Sequence, residues 1–527
     1  MVFRSRRRSW AVVVIMASIL AFFIYKAEKE GAQSPSTQPS EPSRQVITVG
    51  FDTKIQTADP RMIGNDANTG YLEQLCFLPL ISFDAEGNLQ LFLASSIEPS
   101  SRKSWTIHLK KGVHFANGSL ITAHDVEATY HHILNPPKTF PVSPRRGAFA
   151  DVVSFKATSN HTLEVVLKTP DASFLNNLVV GIMPADIVKN AAAGDVLGKG
   201  AESGPYAMTS YSDTEAILIK NQKYDFSTLP LNDEIHFRII TDTGTRYAAL
   251  MKGDLDIVQN SLDPDKIQLL KDTMSKKFRV VQRPKLSTTY IAFNFKDPIA
   301  QNIHVRRAVA HAIDRETILK YRMHSDERPA TGMFPEGNTY FDDHLPQISY
   351  SPVQARAHLE RSLLDLPVPI SLKLSNYRKA NLEIAKAIVS NLNDVGFKAK
   401  IDVVENSVFQ DQIRRGIAQA WYAPWVGFKD PDHLRFVFAT NMQPPRGGNR
   451  GAFSDVRIDA LLEKGRQTLN VQERKRIYDE AQELLAEQLP YVYLWHDMVY
   501  AVVKQSVEGF EPYADGRYWS LTQVVKK

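Results

Sequence analysis

The sequence predicts an α/β protein, because strand-like and helix-like hydrophobic spacings alternate along it. Leu382, Ala385, Val389 and Leu392 recur at helical spacing, Gly396 stops that run, and Phe397, Ala399, Ile401 and Val403 then alternate as a strand does. The same succession occurs earlier: Ile235 to Ile240 reads as a strand, Thr245 to Met251 as a short helix, and Leu255 to Val258 as a further strand. No short period repeats along the chain, which argues against a solenoid.

The remaining elements come in chain order. Gln45 to Phe51 alternates and is rich in β-branched residues, so it opens the folded body as a strand, and the Ala58-Asp59-Pro60 tripeptide turns the next stretch into a loop. Trp105, Ile107 and Leu109 alternate with polar neighbours, Gly112 turns the chain, and Asn117-Gly118 marks a tight turn. Thr122 and Asp125 form an N-terminal cap pattern before a helix whose apolar face is Val126, Tyr130 and Ile133. Asn470 and Glu473 repeat that pattern before Ile477, Ala481, Leu484 and Leu485, and Pro490 stops the helix.

Composition sets outer limits. The 527 residues are 43% hydrophobic and 23% charged, values that exclude a collagen, a disordered chain or a multispan membrane protein. At roughly 100 to 200 residues per domain the length corresponds to about three to four domains. The formal charge is +5, but residues 1–27 hold Arg4, Arg6, Arg7, Arg8 and Lys26 without an acid, leaving 58 cations against 58 acids in the rest. A neutral body without basic runs argues against a nucleic-acid partner. The single cysteine, Cys76, lies in the apolar run LCFLPLI, which excludes an internal disulfide or a cysteine metal cluster and reads as a buried side chain.

The N-terminus reads as an address. Arg4 to Arg8 precede an apolar stretch from Trp10 to Tyr25, slightly shorter than the roughly 17 to 25 residues of a spanning helix. Cations ahead of the run stay on the cytoplasmic side, so the body is expected outside the membrane. Residues 1–27 are either a cleaved signal peptide or a retained membrane anchor. No cysteine follows the run, which excludes lipoprotein anchoring. Residues 28–44 carry prolines at 35, 39 and 42 and almost no apolar side chain, as a disordered linker does.

Catalytic signatures are missing. There is no HExxH, GxSxG or GxGxxG, and Gly194 to Gly200 (GDVLGKG) fails the phosphate-loop spacing and lacks its Ser or Thr. Adjacent His131 and His132 point about 100° apart on a helix and do not aim at one ion. Asp430, Asp432 and His433 in FKDPDHLRF are a weak metal pattern, and Asp-Pro is a common turn starter. No catalytic residue, metal site or cofactor is therefore assigned.

Several segments, taken in order, resemble one family: the extracytoplasmic solute-binding proteins of peptide and nickel ABC importers. TADPRMIGNDANTGYLEQLCFLPLISFDAEGNL is similar to the family's opening loop and first helix, and SWTIHLKKGVHFANGSLITAHDVEATYHHIL to its most specific segment of strand, turn and helix. SGPYAMTSYSDTEAILIKNQKYD, TRYAALMKGDLDIV, YIAFNFKDPIAQNIHVRRAVAHAIDRETIL, WVGFKDPDHLRF and the stretch from Asn470 to Gly509 continue the resemblance along nearly the whole body. It implies a two-lobed periplasmic binding protein (type II, cluster C) with a hinge and an additional domain. Domain I would comprise 45–83, 203–295 and 498–527, domain II 84–202 and domain III 296–497. The implied partners are a peptide or peptide-like solute and the permease and ATPase subunits of an ABC importer, served by a monomer. A nickel-chelate carrier, or an anchored sensor or chaperone on the same fold, is the alternative.

The resemblance also implies a pocket. Trp425 matches the family's loop tryptophan, and Tyr422, Val426, Gly427 and Phe428 surround it in sequence. Peptide binders often place an Asp three residues after that Trp to fix the ligand's ammonium; this chain has Phe428 there and a loop one residue shorter, closer to the nickel-chelate branch. Asn376, Tyr377 and Arg378 would join from a strand end facing the cleft. Phe140, Arg145 and Arg146 would come from domain II, where an arginine fork suits a carboxylate.

Overall fold

A computed structural model describes residues 44–63, 67–190, 192–324, 328–376 and 379–527. The N-terminal address and linker expected over 1–43, and the candidates Tyr377 and Arg378, lie outside the described residues.

Two long antiparallel strands, Phe278–Phe293 and Tyr491–Lys504, form the middle of a ten-stranded sheet. On one side they lead through Ile257–Gln259 and Val46–Phe51 to Glu234–Ile239, Glu215–Lys220 and Tyr206–Tyr211. On the other they lead through Ala420–Val426 to Val368–Ser375 and Phe397–Val404. The long pair runs from Phe278 opposite Lys504 to Ala292 opposite Tyr491 and breaks register between Pro284 and Thr288. Pro284 has no N–H to offer the ladder, and proline inside a sheet is tolerated at such irregularities. A separate four-stranded antiparallel sheet orders Ala94–Ser101, Ser104–Leu109, Thr162–Leu167 and Val152–Ser159.

Separate apolar clusters sit under these layers. Ile47, Phe51, Phe237 and Phe510 belong to one, beneath the end of the large sheet that holds the opening strand. Val309, Leu372, Ile388 and Trp495 belong to a second, and Tyr290, Trp421, Tyr478 and Tyr491 to a third, both at the sheet's other end. Trp105, Phe115, Tyr130 and Phe155 form the core of the four-stranded sheet with the helix Ala123–Leu134. Cys76 is buried in the first cluster, where burial pushes its thiol well above the ordinary range.

Local chemistry explains the element boundaries. Asp242 caps Thr243–Lys252, and Gly253 ends it in the left-handed region at φ 97°. The backbone N–H of Thr122 donates to Asp125 Oδ2 at 2.8 Å at the start of Ala123–Leu134. Asn470 accepts from the Glu473 N–H at 2.9 Å and opens Val471–Gln488. The strand expected from Leu255 begins two residues later, at Ile257, because the Asp256 backbone pairs with Thr48 and Lys504 outside the ladder.

Phe237 shows what fixes the opening strand. It is fully buried, 4.6 Å from the Phe51 ring and 5.8 Å from that of Tyr518, so one side chain joins two parallel strands to the C-terminal segment. Phe237→Ala is expected to lower unfolding free energy by about 3–5 kcal/mol in urea titration.

Candidate functional site around Trp425

The strand Ala420–Val426 pairs along its length with Phe278–Phe293, placing Trp425 opposite Thr288 and Val426 opposite Ser287. Side chains alternate across it: Trp421, Ala423 and Trp425 join the cluster of Tyr290 and Tyr491, whereas Ala420 and Tyr422 face the opposite core, where the Tyr422 ring lies 6.4 Å from Trp495. On its other edge, the ladder to Val368–Ser375 stops at Lys373 opposite Trp421. Beyond it, the backbone of Ala423 to Val426 is paired on one side only among the described residues.

Trp425 is half-buried between exposed Pro424 and exposed Val426. Its Nε1–H donates to Tyr491 Oη at 3.3 Å, its ring stacks at 6.2 Å on Tyr290, and the His433 ring meets it edge-on at 5.0 Å. Burial holds His433 down to about 4, so this imidazole is neutral near pH 7, and its Nε2 is enclosed without a partner. Burial likewise raises Tyr491 to about 12, which keeps the phenol protonated.

Sequence reasoning missed Arg450. Its guanidinium lies 4.8 Å over the Trp425 ring, a cation–π geometry. The loop that carries it is built for close approach: a Cβ at Gly448 would lie 2.6 Å from Phe436 and 3.0 Å from Trp425, and one at Gly451 2.4 Å from the Phe293 carbonyl oxygen. Buried Asn449 clamps the loop, donating from Nδ2 to the carbonyls of Ala439 and Phe453 at 3.0 and 2.8 Å and accepting from the Phe453 N–H at 3.0 Å. The glycines flanking this arginine were the available signal.

The loop after Trp425 is pinned at three points. Gly427 takes φ 74°, where glycine is favoured, and its N–H donates to the Leu286 carbonyl at 2.8 Å. Lys429 pairs with Asp515 at 2.8 Å and lies 4.0 Å over the Phe83 ring. Asp430 accepts two bonds from Arg474, at 2.7 and 2.8 Å, and one from Asn176 Nδ2 at 2.7 Å. That last bond ties the loop to the turn Ala172–Asn177 beside the four-stranded sheet, and Arg466, from the helix Val456–Gln467, reaches the cap of the same turn at Asp171, 3.1 Å away. Asp432 pairs with Arg435 at 3.0 Å, yet burial lifts its carboxyl to about 6.

The other expected residues take varied positions. Phe428 is closed in, with its ring 5.6 Å from Phe334 and 5.3 Å from His433. Asn376 is exposed at the end of its strand, and its N–H donates to the Val404 carbonyl at 2.9 Å. Phe140 packs against the Arg61 guanidinium, 4.4 Å from its ring centroid, and meets the His132 ring edge-on at 4.3 Å. The Arg145 fork is occupied within the chain, by Glu73 at 2.6 Å and the Ile63 carbonyl at 3.0 Å. Arg146 is exposed. Asp430, Asp432 and His433 are engaged by arginines and aromatic rings and do not gather as ligands. Among the described residues, Asp342, Asp343 and His344 bring three potential ligand atoms within 4.8 Å of one another, the latter two residues exposed.

The Lys429–Asp515 pair makes the loop pH-sensitive. Burial would raise Asp515, but Lys429 and Arg517 overcome it and hold the carboxyl down at about 2. Burial lowers Lys429, while Asp515 and its hydrogen bond favour the charged form, so the pair exists because each charge answers the other. A carboxylate depressed on folding stabilises above its ordinary range and loses that contribution as pH falls from about 4 through 2, worth about 2 kcal/mol here. Asp515→Asn is expected to abolish this acid-side slope in denaturant titrations and to cost about 3–5 kcal/mol at pH 7, since buried Arg517 and half-buried Lys429 lose their shared counter-charge.

Known proteins place this arrangement. A profile of the bacterial extracellular solute-binding proteins, family 5 (middle region), matches residues 88–443. The chain is 25% identical over 486 residues to the probable D,D-dipeptide-binding periplasmic protein DdpA of Escherichia coli K12, spanning 89% of this chain and 91% of DdpA. The ABC transporter substrate binding protein CtaP of Listeria monocytogenes superposes with a TM-score of 0.81 at 22% identity, over 92% of this chain and 99% of CtaP. The oligopeptide-binding protein AppA of Bacillus subtilis, in complex with a nonapeptide, does so with a TM-score of 0.71 at 21% identity, over 92% and 99%. The fold is that of type II periplasmic binding proteins. With most of its length under the family profile, the chain belongs to the bacterial extracellular solute-binding proteins of family 5.

Proposed function

We propose that the protein is the extracytoplasmic receptor of an ABC importer, capturing a peptide or peptide-like solute beside Trp425 and handing it unchanged to a membrane permease. The observation that carries the peptide reading is the open strand edge from Ala423 to Val426, next to an aromatic surface. An extended peptide adds to such an edge through main-chain bonds, which are indifferent to side-chain identity. DdpA and AppA, whose names describe peptide binding, support the same class of ligand.

The ties from Asp430 to Asn176 and from Arg466 to Asp171 support a two-lobed mechanism. In that reading domain I is 45–83, 203–295 and 498–527, domain II is 84–202 and domain III is 296–497. Ligand stabilises the form in which the lips meet, and the permease recognises that form. Residues 1–27 deliver the body outside the membrane, where it works as a monomer. No helix of the described residues is long and apolar enough to cross a membrane.

Thermal unfolding against mixed di- to decapeptide pools tests the reading. A ligand at about 100 times its dissociation constant adds roughly 2.7 kcal/mol, a shift of a few degrees for a protein this large. A rise in Tm with recovery of the intact peptide is expected; no shift with any pool overturns the peptide assignment.

A further inference from the structure

We infer that Arg450 is a specificity-determining residue that docks a carboxylate of the ligand against the face of Trp425. The inference rests on the reading of Trp425 as part of the ligand site and adds the charge that this site selects.

The acids and cations around Trp425 are not evenly satisfied. Asp430 is taken by Arg474, Asp432 by Arg435, Asp515 by Lys429 and Arg517, and Asp171 by Arg466. Each carboxylate of the loop and of its facing turn therefore has an internal cation. Arg450 has none: its guanidinium makes no ion pair or hydrogen bond among the described residues, and its one side-chain contact of that kind is the Trp425 ring. A half-buried guanidinium that no internal group occupies keeps five N–H donors in a planar fork, free to receive a planar acceptor. The neighbouring groups cannot supply an anion. His433 is neutral and has no partner at Nε2, and Tyr290 and Tyr491 are buried phenols that stay protonated.

Geometry adds preorganisation. Asn449 fixes the backbone on one side of Arg450, and the close contacts at Gly448 and Gly451 hold the loop down on Trp425 and on the strand end at Phe293. The backbone that carries the guanidinium is thus held before a ligand arrives, which lowers the ordering cost of a bidentate carboxylate pair. A ligand ammonium finds the opposite situation: Phe428 stands three residues after Trp425, and the nearest acids in sequence, Asp430 and Asp432, are already paired. The site is built to recognise the acidic end of a peptide, or an acidic side chain, in preference to a free amine.

The test compares wild type, Arg450→Met and Arg450→Lys by isothermal titration with three mixed tetrapeptide pools. One carries free C-terminal carboxylates and no acidic residue, one is C-terminally amidated without acidic residues, and one is amidated but contains a single Glu. Unliganded Tm of each variant monitors folding. Wild type is expected to bind an acid-bearing pool about 30-fold or more tighter than the neutral amide pool, a preference that Arg450→Met abolishes and Arg450→Lys keeps in part. Preference for the first pool identifies the C-terminal carboxylate, and preference for the third identifies a side-chain carboxylate. Equal binding of all three pools by wild type, or an acid preference that survives intact in Arg450→Met, overturns the inference while leaving the peptide site standing. Failure of every pool to bind wild type overturns the site at Trp425 and the role of Arg450 with it.

Discussion

The register break between Pro284 and Thr288 is the constraint on which the site depends. Residues 285–287 of one long strand face Asp497 of the other, so the ladder cannot close there and the backbone turns its groups outward. Leu286 uses both of its groups: its N–H donates to the Ala514 carbonyl at 2.9 Å, and its own carbonyl accepts from Gly427 at 2.8 Å. One residue thus joins the C-terminal segment to the loop after Trp425. Asp497 accepts from Ser287 Oγ at 2.5 Å and from Thr289 Oγ1 at 3.2 Å, which holds the irregularity in a single arrangement.

From that point the loop is placed by electrostatics. Lys429 is drawn to Asp515, which Arg517 also holds, and Arg517 in turn donates to Ser82 Oγ at 2.5 Å and to the Phe83 carbonyl. A buried chain of charges therefore links residues near 82, 429 and 515, three places far apart in sequence. Such a network is a weak source of net stability, because desolvation offsets most of its attraction. What it provides is position: with Lys429 held on one side and Asp430 held by Arg474 on the other, the backbone between them has little freedom.

Much of the fold is legible from residues alone because its signals are local. The caps at Thr122 and Asn470, the stop at Gly396 and the alternation from Phe397 each act within a few positions. The two long central strands are not legible as such, since both faces of YIAF and of most of YVYLWHDMVYAVVK are covered and alternation is lost where both faces are buried. The site divides the same way. Trp425 is legible through the pattern of its loop, and the change at Phe428 stands out because a familiar acid is absent. Arg145 reads in sequence as available to a ligand, although Glu73, 72 residues earlier, occupies its fork. Arg450 shows in sequence only as an arginine flanked by glycines, because its meaning lies in the Trp425 ring and in the packing of its loop on Phe436 and Phe293, which only folding supplies.

These features change how the missing acid at Phe428 should be understood. In the proposed site, a phenylalanine at 428 in place of a carboxylate could by itself leave a cleft without charge selectivity, held together by backbone pairing alone. Here Phe428 coincides with full internal neutralisation of the loop's acids and with one guanidinium that no acid among the described residues answers. Coulomb attraction in a half-buried setting is several times stronger than in water, so in the proposed site a single uncompensated cation would govern which ligand charge is tolerated. The same main-chain edge can then serve a family of ligands of varied side chains, while polarity along the strand is set by which end of the ligand carries the negative charge.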